Sequence, residues 1–170
     1  SSDLQAVADV DTRADLPEFV TDTFEEQAAA KRPAVNAAAP SAGRKATLYA
    51  TCYVNFNTPG VGLATQNVLS HLGVEVDVQY PGCCGMPKLE NGDLEGVAAQ
   101  ARLVSEALEP AIDAGRDIIA LTPSCALMMK FEWPLILPDD PKVQKLAKAT
   151  FDIAEYVLTI AKKEGLPEGL

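Results

Sequence analysis

The sequence contains no run of about 18 uninterrupted apolar residues, no CxxC pair, no glycine-rich phosphate loop and only one histidine, His71. Each absence closes a class of function. Without the apolar run, no helix is expected to span a membrane, and the acidic, alanine-rich start lacks the basic and apolar regions of a signal peptide. Lys and Arg number 14 against 24 Asp and Glu, and they are scattered. A backbone-tracking grip on nucleic acid needs clustered cations, so nucleic acid is not an expected partner. The net charge of −10 reads as a device for solubility. With no Ser/His/Asp set and no acid pair in a plausible cleft, nothing supports catalysis by this chain alone. The expectation is a soluble, cytoplasmic protein.

Cysteine is scarce as well, yet two of the four, Cys83 and Cys84, are adjacent between glycines in "YPGCCGMPKLENG". A disulfide between neighbours strains the peptide that joins them. In a chain with no secretory signal, four thiols fit a metal or redox site better than a disulfide framework. Read as small buried hydrophobes, the four leave the doublet unexplained.

The 170 residues, 48% apolar, are enough for one core, so one domain with an appendage is expected. Leu16 to Gln27 has the pattern of a short amphipathic helix with Phe19, Val20 and Phe24 on one face. "AAAKRPAVNAAAPSAGRK" reads as a linker, which makes residues 1–44 an irregular extension and places a single domain over residues 45–165. The chain has no initiating Met and reads as part of something longer. From Lys45 on, short apolar runs alternate with helical spacing. "ATLYATC", "VEVDVQY" and "DIIALT" read as strands. "GVGLATQNVLSHLG" repeats Leu63, Val68, Leu69 and Leu72, and closes on Gly73 as helices do. The helix begun by Asp93 repeats Leu94, Val97, Ala101, Val104, Leu108 and Ile112. "CALMMKFEW" and "DPKVQKLAKATFDIAEYVLTIAKKEG" read as helical, the latter capped by Asp140 with Pro141 at its first position. The alternation predicts a three-layer α/β fold, a parallel sheet of three to four strands with flanking helices, like half of a Rossmann or flavodoxin fold.

In that fold Cys52 follows the first strand, Cys83 and Cys84 the second, and Cys125 the third, so all four lie at one edge of the sheet, where open α/β sheets bind ligands. Strands stand about 4.8 Å apart, so thiols far apart in sequence can share a coordination sphere. Four thiolates suit zinc or an iron–sulfur cluster. Structural zinc more often uses CxxC knuckles, whereas consecutive cysteines can reach different irons of a cluster. A vicinal redox switch without metal is the third reading. Gly82 and Gly85 would let the backbone approach an inorganic core. Tyr53 and Asn55 are candidates to donate hydrogen bonds to the sulfurs, or else pack the loop. Met128 reads as helix packing, His71 as solvent-facing and Trp133 as a core or interface anchor.

"ATCYVNFNTPGVG", "GCCGMPKLENGD" and "PSCALMMKFEWP" together resemble the cysteine-rich CCG domain. That domain occurs in the B subunit of heterodisulfide reductase and the C subunit of anaerobic glycerol-3-phosphate dehydrogenase, and the first CCG copy of the latter type is the closer likeness. The resemblance covers roughly residues 44–160. It implies a cluster of the 4Fe-4S kind, cubane or non-cubane, on Cys52, Cys83, Cys84 and Cys125. It also implies electron transfer from a flavin-containing dehydrogenase subunit or other redox protein toward quinone or a disulfide, with a second CCG domain of the full-length chain as partner. The implied location is the cytoplasm, at the inner face of the cytoplasmic membrane through partners. In such proteins two ferredoxin-like motifs precede the CCG copies; none occurs here, so the chain looks like the middle of a longer subunit. The non-cubane relatives end their motif in CxxC. Met128 in "CALM" departs from that, which makes a four-thiolate cubane, or a cluster with an open or foreign ligand, at least as plausible.

Overall fold

The structure is a computed structural model that describes residues 11, 13, 14 and 17–168. Four parallel strands form one sheet: β1 (Lys45–Tyr49), β2 (Glu75–Gln79), β3 (Asp117–Ala120) and β4 (Thr150–Asp152), in the order β2-β1-β3-β4. The central strands are apolar on both faces, as a covered parallel sheet requires. Ala46, Leu48, Ile119 and Leu121 enter one core, and Tyr49, Ile118 and Ala120 enter the other. Helices lie on each side, which completes the expected three layers.

The first core is closed by α1 (Phe24–Ala30), α3 (Pro59–His71) and α9 (Ile153–Lys163). The second is closed by α5 (Leu94–Asp113), α8 (Pro141–Ala149) and a broken helical run. That run is α6 (Pro123–Leu127), a π-helical turn (Met128–Glu132) and α7 (Trp133–Ile136). Two short helices, α2 (Cys52–Phe56) and α4 (Met86–Glu90), begin beside the cysteines.

Four departures from the sequence reading have physical causes. The last helix is two, because Thr150–Asp152 pairs with Ile118 to Ala120 as β4, and Asp152 then caps α9 through a reciprocal box with Glu155. The first helix is Phe24–Ala30, begun by a Thr23/Glu26 box; Phe19 is exposed, and Leu16 lies outside the described residues. In α3 the inward face is Gly62, Gln66, Leu69 and Ser70, while Val68 points out. Small residues there admit α1, since a Cβ on Gly62 would stand 2.6 Å from the Phe24 ring. The Ala/Pro-rich stretch is fastened to the sheet domain: the Asn36 amide donates to Ser70 O at 2.9 Å, and Ala39 and Ser41 are buried.

Candidate metal centre

Strand register builds the site. Tyr49 is level with Gln79 and with Ala120, so the chain leaves β1, β2 and β3 at one height. Cys52 comes three residues past Tyr49, Cys83 four past Gln79, and Cys125 five past Ala120. All four cysteines carry free thiols. The four are near enough to perturb one another electrostatically: Cys52 and Cys84 act on Cys83, and Cys84, Cys52 and Cys83 act on Cys125. Cys84 and Cys125 are buried, and Cys52 and Cys83 are partly exposed, so the rim is open on one side only. Among the described residues no group of three or more His, Cys, Asp and Glu is arranged to hold a metal ion. Four thiols gathered from three loops suit a multinuclear centre, whose separate metal atoms can take ligands from different loops.

The doublet loop is pinned from beneath. The Tyr49 hydroxyl donates to Gly82 O at 2.5 Å, and the Trp133 indole N–H donates to Cys84 O at 3.1 Å. Both rings are wholly buried. Gly82 and Gly85 take φ of 147° and 81°, a region costly for a residue with Cβ, and this turns the backbone sharply around the two thiols. The Gly85 amide donates to Cys83 Sγ at 3.4 Å. On the neighbouring loops, Thr51 and Thr122 share a hydroxyl hydrogen bond of 2.7 Å, tying the segment before Cys52 to the one before Cys125.

The electrostatics follow from this packing. A hydrogen bond from Cys125, aided by the Met86 amide and Cys83, pulls the Cys84 thiol down to about 7 against the cost of burial. The same bond, with burial, holds Cys125 far above the ordinary thiol range. Of the two, Cys84 is the thiol that gives up its proton first. Burial pushes Cys83 up to about 11. Burial, reinforced by the thiols, also keeps the Tyr49 and Tyr80 hydroxyls protonated as donors.

Other candidates fall differently. Tyr53 is 52% exposed, and buried Asn55 accepts from the Glu25 amide at 3.0 Å; neither has a described hydrogen bond to sulfur. The donor is Tyr80, whose hydroxyl reaches Cys52 Sγ at 3.2 Å. Its position next after β2 was the available signal, since β2 pairs with β1, the strand that leads to Cys52. Met128 is wholly buried in the same apolar cluster as Cys84 and Cys125, and His71 is exposed. Trp133 is a core anchor that also holds the doublet.

The chain is similar to several curated proteins. Lactate utilization protein A of Bacillus cytotoxicus is 32% identical over 123 residues, covering 69% of this chain and 49% of the relative. Lactate utilization protein A of Bacillus thuringiensis and Lactate utilization protein A 2 of Bacillus mycoides match with the same identity and coverage. The chain thus spans about half the length of these relatives. No solved structure matches it. The cysteine-rich domain CCG matches residues 46–130, half of the chain and the stretch that carries all four thiols, and its cysteine-rich character points to iron–sulfur chemistry in general. The chain belongs to the CCG cysteine-rich domain family.

Proposed function

We propose that this chain is an electron-transfer domain in which Cys52, Cys83, Cys84 and Cys125 are the thiolate ligands of an iron–sulfur cluster of the 4Fe-4S kind. The observation that carries the reading is the gathering of four free thiols at one sheet edge, drawn from three strand ends. With Met128 where a further cysteine would stand, the chain supplies no fifth thiolate, which favours a four-thiolate cubane over the non-cubane form. Bound there, such a cluster takes up and releases single electrons.

The residues prepare the donors. Ligation needs four deprotonated sulfurs, so loading releases protons. Cys84 is already biased toward thiolate by Cys125 and the Met86 amide. Buried Cys84 and Cys125 form the dry inner wall, and Cys52 and Cys83 form the side open to a partner. The relatives are named for lactate utilization. We therefore assign the electrons to oxidation of a 2-hydroxy acid to its 2-oxo acid, two electrons and two protons per molecule, on a flavin-containing dehydrogenase subunit. They pass on toward a quinone or a disulfide. A second CCG domain belongs to the same electron path, and the assembly works in the cytoplasm, at the inner face of the membrane through its partners.

Anaerobic reconstitution tests the reading. The expected product is brown, with about four iron and about four sulfide per chain, a cluster signal in low-temperature spin resonance, and bleaching in Cys83→Ser. One zinc per chain with no visible absorbance would convert the rim into a structural or docking module. A reversible Cys83–Cys84 disulfide formed without metal would make it a redox switch.

A further inference from the structure

Helix α1 lies before the domain boundary expected at residue 45, yet its contacts run to the segments that carry the thiols. The Glu25 amide, which has no partner within the first helical turn, donates to Asn55 Oδ1 at 3.0 Å, three residues past Cys52. The Glu25 carboxylate accepts from the Tyr80 amide at 3.0 Å, three residues before Cys83. One residue thus bridges two cysteine loops. Upstream, the Val20 amide donates to Phe56 O and the Asn57 side chain donates to Glu18 O, each at 2.8 Å, so the chain entering α1 is tied to α2 as well. Phe24 is wholly buried and seats the helix on α3 at Gly62.

The consequence reaches the rim through Tyr80. Its amide is held by Glu25, its ring meets Phe56 edge-on at 5.2 Å, and its hydroxyl donates to Cys52 Sγ at 3.2 Å. Among the described residues, no other side chain apart from the cysteines themselves donates a described hydrogen bond to any of the four sulfurs. We infer that Tyr80 is a positioning residue of the thiol rim and that α1 is the clasp that sets it. By joining Asn55 to the Tyr80 backbone, Glu25 fixes the phenol as a donor to Cys52 Sγ. The electronic consequence rests on the cluster reading; the mechanical one does not. A donor hydrogen bond withdraws charge from a ligating sulfur, stabilises the reduced, more negative state and raises the reduction potential.

Two measurements on the whole chain test the two consequences separately. In metal-free protein, Glu25→Ala should speed hydrogen exchange at the Tyr80 amide by about fivefold or more while leaving Asp117–Ala120 unchanged. Glu25→Gln keeps an acceptor oxygen and should restore protection. Gly62→Ala, which displaces Phe24, should reproduce the loss without touching Glu25. In iron-loaded protein, Tyr80→Phe keeps the ring on Phe56, so iron content should match the parent. Its reduced-to-oxidised ratio at a fixed ambient potential should fall by about threefold or more, with a shifted spin-resonance spectrum. Unchanged exchange at Tyr80 in both Glu25→Ala and Gly62→Ala would overturn the clasp, and an unchanged ratio in Tyr80→Phe would overturn the donor role. A parent that takes up no iron would sink the cluster reading instead, and the exchange measurement would still decide the clasp.

Discussion

Trp133→Phe isolates the contact that holds the doublet from below. The indole is wholly buried, and its N–H is the described donor to Cys84 O, at 3.1 Å. Removing the donor leaves a carbonyl in a dry place without a partner, at about 1–3 kcal/mol. The smaller ring leaves a cavity of roughly 40 Å³, which at about 24 cal/mol per Å³ adds about 1 kcal/mol. The sum, about 2–4 kcal/mol, exceeds an ordinary conservative core change. Since about 1 kcal/mol moves the melting temperature of a chain this long by about 2–4 °C, a loss of about 3 kcal/mol lowers it by about 6–12 °C. The assay is urea and thermal unfolding of metal-free protein, because a bound metal would add its own binding energy to the folded state. A loss under about 0.5 kcal/mol would refute the reasoning, since it would mean that the Cys84 carbonyl does not depend on the indole.

Three further perturbations read other parts of the design. Gly62→Ala places a methyl 2.6 Å from the Phe24 ring and should cost about 1–3 kcal/mol in denaturant unfolding; stability equal to the parent would mean that α1 does not seat there. A double-mutant cycle of Thr51→Val and Thr122→Val should give a coupling of about 0.5–1.5 kcal/mol for their 2.7 Å hydroxyl bond, and strict additivity would sink it. Arg44 grips Glu164 at 2.7 Å and holds its carboxyl below the usual range. That stability is present above the unfolded value of 4.5 and is lost as pH falls through the lower folded value. The stability gap between the parent and Glu164→Gln, about 1 kcal/mol for a partly exposed surface pair, should therefore close on acidification from pH 6 to pH 3. A gap independent of pH would count against the pairing.

The legible parts of the fold were those with a strong period and clear punctuation. "ATLYATC" and "DIIALT" are apolar runs bounded by turn residues and became β1 and β3, and the Asp93 and Asp140 caps fell where expected. β4 escaped because three residues are too few to show alternation, and the helical stripes of α8 and α9 appear continuous across them. The cap signal of Asp152 with Glu155 three residues later was the available clue. The cysteine row was legible from topology, since strand ends in one parallel sheet share an edge. The sulfur donor was not. Tyr53 and Asn55 are near Cys52 in sequence, but α2 turns Tyr53 outward and Asn55 toward α1. Tyr80 is 28 residues away from Cys52 and arrives through strand pairing.

Pairing also explains why the motif is a doublet. In the order β2-β1-β3, the loop leaving β2 must pass over the end of β1 before a thiol can meet Cys125 beyond β3, a span of two strand spacings, about 10 Å. A single cysteine could serve only one end of that bridge, and a CxxC turn would fold both sulfurs toward one point. Adjacent residues along such a bridge divide the work. Cys83 lies with Cys52 on the open side, while Cys84 lies with Cys125 in the buried interior. The bridge needs supports of its own, and the chain supplies them from both sides of the gap: Tyr49 from the end of β1 under Gly82, and Trp133 from the helical run after β3 under Cys84. Glycines at both shoulders, Gly82 and Gly85, make the sharp entry and exit. On this reasoning the two cysteines are adjacent because one loop joins the two halves of the thiol row, so loosening either support should disturb the whole row rather than one sulfur.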